Sequence, residues 1–154
     1  MPARPSSDDT SLPDAVRCAE QRPDALAALA VLYDQLDAEL AETNAQCLGG
    51  GTCCRFDIAG HRLFVTTLEL AMLLQGPPPH PAAPLRCPYQ RGPKCLARGF
   101  RALGCRTYFC RSPELTDLYE SYHQAIAQLH EHHAIPYLYV ELTAGLAACD
   151  AKQA

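Results

Sequence analysis

The stretch CLGGGTCC, residues 47–54, sets two cysteines side by side immediately after three glycines and a threonine, with a third cysteine a few residues upstream. Adjacent cysteines rarely bond to each other, and a packed thiol needs no thiol neighbour. Metal binding is the chemistry that uses thiols at this density. The glycines fit that use, because a backbone without Cβ atoms can wrap closely around a centre. Whether residues 47–54 form part of a metal site therefore decides what organises the middle of this chain.

The chain has 154 residues, enough for one domain with a modest core. It holds nine cysteines, an odd count that argues against a complete disulfide framework. The N-terminal MPARPSSDDTSLPDA has no apolar h-region, and no stretch reaches the length of a membrane span. The expected location is the cytoplasm, where thiols stay reduced and clustered cysteines more often bind metal. No membrane partner is expected.

Seven cysteines fall in one window: Cys47, Cys53, Cys54, Cys87, Cys95, Cys105 and Cys110. Cys18 and Cys149 lie outside it and read as ordinary thiols. Small buried hydrophobes would have no reason to concentrate where other core residues are scarce, nor to sit beside positive charge. Five of the seven adjoin a base: Cys54-Arg55, Arg86-Cys87, Lys94-Cys95, Cys105-Arg106 and Cys110-Arg111. Residues 55–111 carry a charge of +7 in a chain whose net charge is −4. A nearby cation favours the thiolate, the form that binds metal. Arg55, Arg106 and Arg111 are accordingly candidate cofactor-binding residues around the thiolates. Nucleic acid is the rival partner for a basic segment. It is disfavoured here because the bases track the cysteines and aromatics are sparse.

The expected fold is a small single α+β domain over residues 23–150, preceded by a disordered Pro-, Ser- and Asp-rich tail at 1–22. Two long amphipathic helices would pack on a short hairpin and an irregular, cysteine-rich, metal-organised centre. The first helix is predicted from about Asp24 to Gln46, with Leu26, Leu29, Tyr33, Leu36 and Leu40 at helical spacing. RFDIAGHRLFVTT, residues 55–67, reads as a hairpin turning near Ala59-Gly60. Thr66 and Glu69 form a capping box for a short helix that Gly76 stops. The second long helix follows Ser112 and Pro113, with Leu115, Leu118, Tyr122, Ile126 and Leu129 as its stripe. IPYLYVEL, from Ile135, should be extended, with a short helical tail after it.

CLGGGTCC, CPYQRGPKC (87–95) and LGCRTYFC (103–110), in that order, resemble the CxxCxxCC cysteine-cluster family (YkgJ-like), whose members are described as zinc- or iron-chelating and often labelled Fe–S-cluster-containing. The resemblance covers roughly Cys47 to Cys110 and implies that the seven cysteines are candidate ligands. The family's second cysteine falls at Gly50 here. The proximal stretch then supplies three thiols, and a fourth must come from the distal set.

Zinc commonly takes four ligands from paired C-x₂₋₄-C knuckles, and only Cys105-x₄-Cys110 comes near that spacing. Fe–S clusters accept more varied spacings. The expected cofactor is an Fe–S cluster, with zinc or mononuclear iron as the alternative. His61 is a weaker ligand candidate, and His132 and His133 suit a helix C-terminus. No Walker loop, G-x-G-x-x-G, G-x-S-x-G, HExxH or C-x-x-C pair occurs, so no catalytic residue is assigned. The expected function is metal binding in a redox, sensing or accessory role, with a partner protein conceivable. A structural zinc module for protein interaction is the alternative, and a metal-dependent enzyme the second alternative.

Overall fold

A computed structural model of the chain describes residues 10–42, 62–76, 87–91, 94–107 and 115–153. Six α-helices and two pairs of short antiparallel strands make up these residues, an α+β arrangement in which helix dominates.

The first helix, α1 (Leu12–Glu20), lies within the stretch expected to be a disordered tail. Its start is set locally: Ser11 Oγ accepts from the Asp14 N–H, and Pro13 stands in the first turn where a missing N–H costs nothing. Ala15, Val16 and Ala19 are buried and make a narrow stripe of small residues. That stripe lets α1 lie against α3 (Thr67–Leu74) and α6 (Leu142–Gln153). Composition suggested disorder because proline and aspartate are rich here; packing on a 3.6-residue period prevails.

Helix α2 (Pro23–Glu42) buries Leu26, Leu29, Tyr33, Leu36 and Leu40, as the periodicity predicts. Residues 43–46, which were expected to extend it, and the glycines at 49–51 lie outside the described residues. Helix α3 carries the expected capping box. Thr66 Oγ1 accepts from the Glu69 N–H at 3.3 Å, and Glu69 Oε2 accepts from the Thr66 N–H at 2.8 Å. Thr67 through Leu73 are all buried, so α3 is the central helix rather than an amphipathic one.

Within the stretch expected to form a hairpin the structure has β1 (Phe64–Thr66), but the partner it shows is distant. It pairs antiparallel with β4 (Tyr139–Glu141), in the register Phe64–Glu141, Val65–Val140 and Thr66–Tyr139. The Ala59-Gly60 turn of the expected hairpin lies outside the described residues. The Leu142 N–H to Leu63 carbonyl and the Thr67 N–H to Leu138 carbonyl bonds extend the pairing at each end.

Helix α5 (Leu115–His132) buries Leu115, Tyr122, Ile126 and His130. Ser112 and Pro113 lie outside the described residues. The helix ends in a Schellman motif. The Ile135 N–H donates to the His130 carbonyl and the Ala134 N–H to the Glu131 carbonyl, with Ala134 at φ 54°. An L-residue in this left-handed conformation is strained by its Cβ. Ala134→Gly is therefore expected to raise stability by about 0.5–1 kcal/mol, net of the added unfolded-state entropy, measured as an increase in urea midpoint.

His130 is fixed as one tautomer. Its Nε2 accepts from the Leu68 N–H at 3.1 Å, so Nδ1 carries the hydrogen and donates to the Ile126 carbonyl at 2.9 Å. Burial lowers its pKa from 6.5, because a charged ring here would be desolvated and would lose its acceptor. The unfolded chain takes up this proton first, so the fold loses stability as pH falls through and below 6.5. His130→Gln keeps an acceptor without titrating. Urea midpoints measured between pH 7.5 and pH 5 should fall less steeply in H130Q than in the wild type.

Candidate metal centre

Three of the seven candidate cysteines, Cys87, Cys95 and Cys105, lie in described residues. So does one of the three candidate arginines, Arg106. Cys47, Cys53, Cys54 and Cys110, with Arg55, Arg111 and His61, lie outside them.

Cys105 sits on a one-turn helix, α4 (Leu103–Thr107). Five residues cannot hold a helix by themselves, since nucleation alone is unfavourable. Two buried side chains hold this one, Glu69 from α3 and Arg106 of α4 itself. Glu69, 2% exposed, accepts the Leu103 N–H on Oε1 at 2.8 Å and so caps α4 as well as α3. The same oxygen accepts from the Tyr33 hydroxyl at 3.4 Å. Burial raises the Glu69 pKa, against the lowering effect of the Thr66 and Leu103 N–H donors.

Arg106, 4% exposed, is the second anchor. Its Nε donates to the Arg101 carbonyl at 2.8 Å, Nη2 to the Gly99 carbonyl at 3.0 Å, and Nη1 pairs with Asp37 of α2 at 2.7 Å. The guanidinium lies 4.1 Å from the centre of the Tyr33 ring. Tyr33 has a phenol pushed well above its ordinary pKa by burial and then by the negative charge of Glu69, which Arg106 opposes and Cys105 reinforces. Arg106 thus fastens α4 to α2.

The chain re-enters the described residues on the same spot. Leu63 lies so close to Gly104 that a Cβ at residue 104 would stand 2.5 Å from Leu63 Cδ1. Hence α2, which leads into residues 43–61, and Leu63, which follows them, both pack on α4.

Cys87 and Cys95 frame a second small unit. Strands β2 (Gln90–Arg91) and β3 (Lys94–Cys95) pair antiparallel, with Gln90 opposite Cys95. A turn from the Gln90 N–H to the Cys87 carbonyl precedes them, and the Leu96 N–H donates to the Tyr89 carbonyl at 2.8 Å. Cys87 is buried and Cys95 half-buried. Tyr89 is 1% exposed, and its hydroxyl has no hydrogen-bond partner among the described residues. Its pKa is pushed up to about 12 by burial first, then by Cys87 and Cys95. The unit leads into a 3₁₀ turn (Arg98–Phe100) whose Phe100 ring sits on Gly76 at the end of α3; a Cβ there would lie 2.8 Å from Phe100 Cδ2.

Among the described residues no three His, Cys, Asp or Glu side chains gather into a metal-binding group. No disulfide joins two described cysteines. Cys149 is buried and its thiol is pushed up by burial, as suits an ordinary core thiol. The described histidines serve other contacts. His123 Nε2 meets the Tyr137 hydroxyl at 3.0 Å among Tyr119, Tyr137 and Tyr139, and His133 Nδ1 lies 3.2 Å from Asp24. Sequence reading missed Glu69 as the cap of α4, Tyr33 and Asp37 as the seat of Arg106, and Tyr89 as a buried phenol between two cysteines. Only the Glu69 capping box had a local signal.

No protein-family model, curated protein or solved structure matches this chain. Among the described residues no helix is long and apolar enough to cross a membrane.

Proposed function

We propose that this chain binds a metal centre through cysteine thiolates, an iron–sulfur cluster, and serves a redox, sensing or accessory role. The observation that carries this reading is the convergence on α4. Cys105 stands where α2 and Leu63 pack, and these flank the segment that holds Cys47, Cys53 and Cys54. Cys47 lies five positions beyond Glu42, a span of at most about 18 Å. Cys110 lies three positions beyond Thr107, at most about 11 Å. The fourth thiol missing at Gly50 is to be sought on α4 or in the Cys87–Cys95 unit.

The donor set favours iron–sulfur over zinc. It offers thiolates without paired knuckles, inside a segment of strong positive charge. The buried Tyr89 hydroxyl, without a partner among the described residues and in the same small unit as Cys87 and Cys95, fits a sulfur-rich anion as acceptor. A bound cluster would supply one-electron transfer. The chain's own residues would position it: Glu69 and Arg106 fix α4, which carries Cys105. The cytoplasm, where thiols stay reduced, suits such a site.

Anaerobic purification tests this. The expected product is brown, with broad visible absorbance and stoichiometric iron and acid-labile sulfide. A colourless protein with one zinc per chain and no iron contradicts it.

A further inference from the structure

A buried phenol without a partner is rare, since nearly all buried polar side-chain atoms find a hydrogen bond, and an unmade one costs about 1–3 kcal/mol. Among the described residues the Tyr89 hydroxyl has no such partner. Its ring is part of the core, with 1% of the residue exposed, so the hydroxyl cannot turn out to water. The backbone fixes what surrounds it. Cys87 lies two residues back across the turn closed by the Gln90 N–H, and Cys95 lies across the β2–β3 pair, tied in by the Leu96 to Tyr89 bond. Both cysteines act electrostatically on the phenol. The phenol is a buried neutral donor in the same small unit as two cysteines, whose sulfurs carry negative charge whenever they ligate a metal.

Resting on the cluster reading above, we propose that the Tyr89 hydroxyl donates a hydrogen bond to a sulfur of the centre held through Cys87 and Cys95, and so sets its reduction potential as a positioning residue. Reduction adds negative charge to the cluster and its sulfurs. A donor aimed at sulfur stabilises the reduced state more than the oxidised one, and so raises the potential. No bond is made or broken; the phenol keeps its proton in both states.

The test compares the anaerobically purified full-length wild type with Tyr89→Phe and with 3-fluorotyrosine incorporated at position 89. Iron and sulfide per chain are measured first, then the reduction equilibrium by optical titration. Tyr89→Phe should keep its iron and sulfide while its reduction equilibrium constant falls about tenfold, or about 59 mV for a one-electron couple. The more acidic fluorophenol is a stronger donor and should shift the constant the opposite way. A role in packing alone would not produce opposite signs from two near-isosteric rings. Equal cluster content with constants within twofold of wild type in both variants overturns the inference and leaves the cluster reading standing. If Y89F fails to fold or load, the fluorotyrosine chain carries the test, and an unshifted constant there overturns the proposal. A wild type without iron and sulfide overturns the cluster reading and this inference with it.

Discussion

Cys105→Ser and Cys54→Ser are each expected to lower bound iron by more than about tenfold, since loss of even an outer-shell partner costs roughly 10–100-fold in affinity. Cys18→Ser should leave iron unchanged. The reason lies in the architecture. Cys105 is held rigidly on α4 by Glu69 and Arg106, so no neighbouring thiol can slide into its place. Cys54 belongs to a stretch with three thiols where a complete local site needs four. Loss of one thiol leaves the proximal stretch two. Structural zinc sites contribute on the order of 10 kcal/mol to folding, and a cluster bound through several thiolates should act in the same direction. Both variants should therefore also lose much of their resistance to urea and proteolysis. Metal analysis after gel filtration, with circular dichroism on the same samples, reads both effects. Unchanged metal content in Cys54→Ser would show that the vicinal pair does not ligate.

Glu69→Ala is expected to destabilise the fold by about 3–5 kcal/mol, and so to unfold a large fraction of a protein whose total stability is of order 5–15 kcal/mol. One carboxylate receives the Thr66 N–H, the Leu103 N–H and the Tyr33 hydroxyl, all buried, and its loss orphans all three. Each buried orphan costs about 1–3 kcal/mol, partly offset by removing a desolvated charge. Glu69→Gln should cost less, about 1–3 kcal/mol, because the amide keeps one acceptor while its NH₂ faces a donor. The two variants also separate charge from geometry. Burial raises the folded pKa of Glu69 above the 4.5 of the free carboxyl, so the folded chain holds this proton to higher pH. Its contribution to stability is fullest below pH 4.5 and declines as pH rises through the folded pKa. That slope should vanish in the E69Q chain, as read from urea midpoints across pH 4–7.

Neighbours along the chain specify some elements of this fold and not others. Thr66 and Glu69 announce α3 because a capping box is a four-residue device. The stripe through Leu115, Tyr122 and Ile126 announces α5 for the same local reason. The pairing of β1 with β4 has no such signal, because Val65 and Val140 are far apart in the sequence. The second role of Glu69, on Leu103, is equally non-local. Arg106 shows how adjacency misleads by half. Its place beside Cys105 in sequence suggested a partner for the thiolates, and its described donors go instead to Asp37 and two carbonyls. It holds the element that carries Cys105 against α2. The α1 helix was hidden by composition, since its small apolar stripe is interrupted by residues typical of loops.

The central claim is that cysteines from both halves of the segment share one iron–sulfur centre. Iron K-edge X-ray absorption on the anaerobically purified wild type tests it most directly. The account predicts an iron first shell made of sulfur alone, with an iron–iron shell behind it, and loss of that second shell in Cys105→Ser. A first shell of oxygen and nitrogen, or a wild type that retains only zinc, would contradict it.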